Sequence, residues 1–205
     1  MDAHDWDERY AAHDLVWSAT PNRFVEELVG PLPPGSAIDI AAGEGRNAIW
    51  LAGRGWTVTG CDYSPVAVDR MRELAERALG DDVARLTPVV ADATVALPGG
   101  PAAYDVALFS YLQLPEAEMR EALRHAVDAV REGGQVLVIG HAGRNLTEGQ
   151  GGPSDRAVLY DPDEVLERVA GLPVDVISSE VRTRPVDTPE GTRDALDTVV
   201  VLRRT

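Results

Sequence analysis

The sequence predicts an α/β fold: a doubly wound, seven-stranded sheet, mostly parallel with the last strand antiparallel, and helices on both faces. Three observations predict it. From Ser36 onward, short apolar runs alternate with amphipathic stretches, the pattern of a parallel sheet covered on both sides. The run Ala37–Ile40 passes into Ala41-Ala42-Gly43-Glu44-Gly45-Arg46-Asn47-Ala48, which reads as strand, tight turn and helix start. The last two apolar runs, Val174–Arg182 and Ala195–Leu202, are joined by Thr183–Asp194 with no helical pattern between them, which makes them an antiparallel pair.

Residues 1–35 form a polar, aromatic prelude, expected to be a helical lid segment ahead of a single domain over 36–205. Trp6, Tyr10 and Trp17 concentrate there. Thr20-Pro21 reads as an N-cap followed by proline at the first helical position. A short helix then runs through Phe24 and Leu28 until Pro31–Gly35 ends it. Ala37–Ile40 is the first strand, and Asn47–Gly53 a helix with Leu51 and Ala52 inward. Thr57–Cys61 is the second strand. Val66–Leu79 is a helix with Ala67, Met71, Leu74, Ala75 and Ala78 on one stripe. Leu86–Val90 and Val106–Phe109 are the third and fourth strands. Glu116–Val130 is a helix with Met119, Leu123, Ala126, Val127 and Val130 in register, broken by Glu132-Gly133-Gly134 ahead of the fifth strand, Gln135–Gly140. Ala142–Arg156 is rich in glycine and reads as a flap or disorder. Asp161–Ala170 is a helix with Pro162 at its start.

Composition narrows the function. The 205 residues suffice for one core. The formal charge of −15 repels a nucleic-acid backbone and accepts a neutral or cationic small molecule. There is no lysine, which removes Schiff-base and P-loop lysine chemistry. A lone cysteine, Cys61, excludes an internal disulfide and a multi-cysteine metal site, and no metal is expected. No apolar run approaches membrane-spanning length and the first residues are acidic, so no membrane association and a cytoplasmic location are expected. A monomer or homodimer is expected.

Open parallel sheets bind ligands beyond the carboxyl ends of their strands. There the first three strands end in Asp39, Asp62 and Asp92. Each is also a good helix cap. Gly43 and Gly45 let a ligand approach the backbone, and the helix start offers free N–H groups. Asp62 follows the turn at the distance where an acid takes a ribose diol, since a carboxylate accepts from two hydroxyls. Its loss is expected to weaken a nucleoside ligand and to leave the fold little changed. Asp92 suits an adenine amino group. The spelling Gly43-Glu44-Gly45-Arg46-Asn47-Ala48 also fits a G-x-G-x-x-A dinucleotide turn. Asp39 and Glu44 then sit unfavourably near a pyrophosphate, whereas both acids welcome a sulfonium or an ammonium.

Jointly these motifs resemble class I S-adenosylmethionine (SAM)-dependent methyltransferases, which have a Rossmann-like sheet. Asp39–Gly45 is similar to the family's acidic-x-Gly-x-Gly-x-Gly motif, with Ala41 in place of the first glycine. Asp62 falls on the ribose-binding acid, Asp92-Ala93 on the adenine position, Tyr104–Phe109 on the fourth-strand motif and Gly133-Gly134 on the turn before the fifth strand. The resemblance covers about residues 36–205. In the prelude, Trp6–Tyr10, Val16-Trp17 and Pro21-Asn22 resemble the tellurite-resistance and thiopurine type, in which an N-terminal segment folds over the cofactor. It implies SAM as cofactor, S-adenosylhomocysteine as product and a small-molecule acceptor at sulfur, oxygen, nitrogen or a metalloid. The implied cofactor-binding residues are Trp17, Asp39, Ala41, Gly43, Gly45, Asn47, Asp62, Tyr63, Asp92, Ala93 and Ser110. Two other readings stay open, a nicotinamide-dependent oxidoreductase and a SAM-binding protein without turnover.

In-line methyl transfer needs alignment and a dry site, and an alcohol or phenol acceptor also needs a base. His141, His13 and Tyr111 are the candidates, and His141 closes the fifth strand on the cofactor rim. His125 lies in a helix off its apolar stripe and is expected to be solvated. Arg184 and Arg193, in the last strand connection, can meet an anionic acceptor.

Overall fold

The structure is a computed structural model, described here over residues 20–205. Its chain order is α1 (Arg23–Val29), β1 (Ser36–Ile40), α2 (Arg46–Ala52), β2 (Thr57–Asp62), α3 (Pro65–Leu79), β3 (Leu86–Val90), β4 (Tyr104–Ser110), α4 (Glu116–Ala129), β5 (Val130–His141), α5 (Asn145–Glu148), α6 (Pro162–Arg168), β6 (Val174–Thr188) and β7 (Gly191–Arg204). The seven strands lie in the order β3-β2-β1-β4-β5-β7-β6. All neighbours pair in parallel except β7, which is antiparallel to both β5 and β6. This is the expected doubly wound sheet.

The order reverses between β1 and β4, so the crevice for a ligand lies beyond their carboxyl ends. One face of the sheet packs against α1, α2 and α3 through Phe24, Leu51, Val58, Met71 and Leu108. The other packs against α4 and α6 through Met119, Leu123, Phe109, Val138 and Val165. Each such side chain, when fully buried, contributes about 1.5–3 kcal/mol. The α3 stripe is rotated from its expected setting. Ala67, Val68, Met71 and Ala75 are buried, while Ala78 is exposed. Both edge strands carry a proline, Pro88 in β3 and Pro185 in β6, tolerated where a ladder N–H is dispensable.

Several boundaries differ from the sequence expectation; β5, for one, begins at Val130 and runs through the expected break at Glu132-Gly133-Gly134. The α1 cap is Asn22, not Thr20; its side chain accepts from Phe24 N–H. The presumed connection Thr183–Asp194 is mostly strand. The hairpin continues to Thr188 and Gly191, because pairing along a long two-stranded ribbon overrides its polar sequence. The glycine-rich segment 142–156 is folded around α5 rather than left as a plain loop. Asn145, 3 % exposed, accepts from Leu196 N–H and donates to Gly151 O, clasping the segment to β7. A Cβ on Gly149 would meet Asn145 Oδ1, so that glycine serves close packing. Among the described residues no helix is long and apolar enough to cross a membrane.

Candidate active site

The turn after β1 is held by its own acids. Asp62, at the end of β2, accepts from Gly43 N–H at 2.8 Å and from Ser64 N–H at 3.0 Å. It therefore clamps the glycine turn to β2 and the start of α3. Loss of Asp62 removes these acceptors, which corrects the expectation that the fold would hardly notice.

Asp39 is buried and accepts from Ala48 N–H at 3.1 Å, while its Oδ1 has no partner among the described residues. Burial pushes its carboxyl up to about 7, with nearby Asp62 adding to the rise; Arg46 and the Ala48 N–H oppose it. Ser110, one residue past the Ile40–Phe109 pair of β1 and β4, likewise leaves its buried Oγ unpartnered. Two orphaned polar atoms at the switch point fit a polar ligand there. Asp92, exposed, accepts from the N–H and hydroxyl of Thr94. This is a turn cap. Its neighbour Ala93 is tied to α4 by His125, whose Nδ1 lies 2.8 Å from Ala93 O, so His125 is not simply solvated. Tyr63, half-buried, follows Asp62 on the same rim.

The two glycines divide their tasks. Gly43 has φ 58° and presents its N–H to Asp62. Gly45 is also left-handed, but a Cβ there would strike Met71 Cγ at 2.3 Å, so it lets α3 pack against the turn rather than admitting a ligand. Asn47 is buried and its side-chain oxygen accepts from Asn22 N–H at 2.8 Å, which ties α2 to α1. Glu44 pairs with Arg70 at 2.9 Å, so its charge is compensated and no longer weighs against a phosphate. Ala41, standing where the resembling motif has glycine, adopts φ 55°. A left-handed non-glycine residue costs roughly 1–2 kcal/mol, partly offset by the greater unfolded-state entropy of glycine. Ala41→Gly is therefore expected to raise stability by about 0.5–1 kcal/mol, which is roughly 1–4 °C in Tm for a domain of this size. Thermal unfolding checks this, and an unchanged or lower Tm refutes the strain.

Further along the rim, four side chains meet. Asp197, fully buried on β7, accepts through Oδ2 from Tyr111 O–H at 2.8 Å and from Arg184 Nε at 2.6 Å. Its Oδ1 lies 3.2 Å from His141 Nδ1. Burial pushes the Asp197 carboxyl up, but His141, Arg184 and Tyr111 outweigh it and hold it below the usual carboxylate range. The Tyr111 ring lies 4.8 Å from that of His141, with the Arg184 guanidinium 5.5 Å and the Arg46 guanidinium 6.0 Å from its centre. Burial, then the Asp197 charge, pushes the Tyr111 phenol well above its ordinary range. It stays protonated and donates, which removes it as a base. Tyr111 also holds φ 65°, a strained setting of the kind found at functional sites.

His141 lines a cleft of about 400 Å³ bounded by Gln150–Gly152, Arg184 and Val186–Pro189. Arg184 thus reaches the rim as expected, but its charge is neutralised by Asp197; Arg193 is exposed on the outer hairpin. Sequence reasoning missed Asp197. Its only signal was an acid in an apolar run, two residues before Val199. The expected lid, with Trp6, Tyr10 and Trp17, and the candidate base His13 lie outside the described residues. Among the described residues no group of His, Cys, Asp and Glu is arranged to hold a metal.

Residues 37–134 match the methyltransferase domain family. No curated protein sequence matches the chain significantly. Among solved structures, one described for the conversion of a disulfide bond into a thioacetal group during echinomycin biosynthesis is 23 % identical, with a TM-score of 0.71, over 90 % of this chain and 80 % of that one. The glycopeptide N-methyltransferase MtfA, complexed with SAM, is 19 % identical, with a TM-score of 0.67, over 89 % of this chain and 92 % of that one. TehB from Haemophilus influenzae is 15 % identical, with a TM-score of 0.69, over 100 % of this chain and 68 % of that one. At these identities the structural likeness establishes the fold. Residues 37–134 are thus similar to a methyltransferase domain, and they lie on a seven-stranded sheet of the same fold as these structures.

Proposed function

We propose that the chain is a class I SAM-dependent methyltransferase that methylates a small-molecule acceptor held in the cleft at His141. The observation that carries this reading is the placement of that cleft on the same rim as the glycine turn, with Tyr111 between them. Asp62 and Gly43 hold the nucleoside end, Asp92 and Ala93 border the base, and Asp39 and Ser110 offer their unpartnered atoms to polar groups of the cofactor. When bound, SAM supplies an electrophilic methyl group on a positively charged sulfur. The residues themselves bind, align and exclude water, which carries much of the barrier lowering in an in-line transfer. The net acidity of the chain and the buried Asp39 favour this cationic cofactor over a pyrophosphate.

A thermal-shift panel tests it. SAM and S-adenosylhomocysteine are expected to raise Tm with concentration, since a ligand of the native state stabilises by about 2.7 kcal/mol at one hundred times its Kd. NAD and FAD are expected to leave Tm unchanged. A rise with NAD alone would favour the oxidoreductase reading and end this one.

A further inference from the structure

His141 and Asp197 are direct cross-strand partners on β5 and β7, so their side chains leave the sheet on one face. Nothing in the sequence motifs assigns Asp197. We propose that Asp197 is a positioning residue that fixes His141 with its proton on Nδ1, leaving Nε2 as a base toward a hydroxyl acceptor in the cleft. The proposal rests on the methyl-transfer reading above.

The argument is one of hydrogen-bond inventory. A carboxylate only accepts. Asp197 Oδ2 is occupied by Tyr111 and Arg184, while Oδ1 and His141 Nδ1 are both buried, lie 3.2 Å apart and meet hydrogen-bond geometry with none of the described residues. A hydrogen on Nδ1 lets a small turn of the ring satisfy both atoms at once, and that tautomer puts the imidazole lone pair on Nε2. The ring is held on its other contacts too. Tyr111 packs against it, and a Cβ on Gly152 would lie 2.8 Å from Cδ2 and 3.0 Å from Nε2. The side chain keeps 12 % exposure, and His141 is among the residues that line the cleft. A buried acid orienting a histidine whose second nitrogen faces a cleft is the arrangement of a general base.

The step balances without another reactant. The acceptor O–H gives its proton to Nε2, and the oxygen electron pair forms the bond to the methyl carbon. The carbon–sulfur bond breaks with its pair on sulfur, which becomes a neutral thioether. The Asp197 carboxylate faces the resulting imidazolium, whose proton returns to water through the cleft. A thiolate acceptor has no proton to lose and would leave this arrangement without a task.

Long-range 1H–15N correlation spectra of the histidine rings in the full chain test the proposal, with His141→Gln to assign the signal. Neutral His141 is expected as the Nδ1–H tautomer in the wild type, and Asp197→Asn is expected to shift it toward Nε2–H. An Nε2–H tautomer in the wild type overturns the proposal, and that measurement decides even where Asp197→Asn does not fold. With SAM present, 4-methylphenol and dithiothreitol serve as probe acceptors. Transfer to the phenol that falls at least tenfold in Asp197→Asn supports the base role, and transfer to dithiothreitol alone overturns the hydroxyl assignment. Failure of SAM and S-adenosylhomocysteine to raise Tm would instead sink the cofactor reading, and it would do so whatever the tautomer.

Discussion

Asp62→Ala is expected to cost the protein both its cofactor and part of its fold. Two buried N–H groups, those of Gly43 and Ser64, lose their acceptor. Leaving a buried donor unsatisfied costs about 1–3 kcal/mol, so unfolding free energy should fall by roughly 2–4 kcal/mol, a large part of a typical margin. The glycine turn is then free to leave β2. Cofactor binding should weaken by a further amount, because charged hydrogen bonds to ribose hydroxyls are worth about 1.5–3 kcal/mol each; two of them correspond to a hundredfold or more in Kd. Asp62→Asn is no mild control, since its amide would face one of the two N–H groups donor to donor. Calorimetry with S-adenosylhomocysteine at a temperature where the variant is folded separates the two effects. Unchanged affinity in a folded Asp62→Ala protein would remove Asp62 from the site.

That double role shows what could be read from the sequence and what could not. Asp62 was legible as a ligand candidate because it closes an apolar run at a set distance from the glycine turn. Its grip on Gly43 was not legible, because it depends on the parallel register that places Asp39 opposite Gly60. Gly43 and Gly45 look equivalent in sequence; only the packing of Met71 against Gly45 distinguishes them. The mostly parallel sheet and its antiparallel end followed from the alternation of strand and helix patterns and from the connection type. The length of the last hairpin did not, since residues 183–194 are polar and gain strand geometry from pairing alone. Asp197 was hidden for the same reason. Its partners Tyr111, His141 and Arg184 come from three other strands or strand ends, and no local pattern announces a contact over 86 residues of sequence.

Asp39→Asn is expected to stabilise the cofactor-free protein at pH 8 and to flatten its pH dependence. In the native state burial holds the Asp39 carboxyl near 7, against an ordinary value of 3.8. Between those values the folded chain keeps a proton that the unfolded chain has lost. Unfolding free energy therefore falls as pH rises from about 4 to 7, and stays at its lower level above 7. Three units correspond to at most about 4 kcal/mol, an upper bound for a site that can relax. The orphaned Oδ1 is the structural mark of that cost, and the single Ala48 N–H does not offset it. Asn keeps an acceptor for Ala48 and removes the titration. A cationic cofactor reverses the sign of the site, because a neighbouring positive charge favours the ionised carboxyl. Wild-type binding of SAM should thus release part of a proton near pH 6.5, read from calorimetry in buffers of different ionisation enthalpy, and Asp39→Asn should bind more weakly without that release. The difference in stability between Asp39→Asn and the wild type isolates this one group from the other carboxylates. It should grow from near zero at pH 4 to its full size above pH 7; a difference that stays flat over that range would mean that Asp39 is ionised at no cost and that the turn was not built around a missing positive charge.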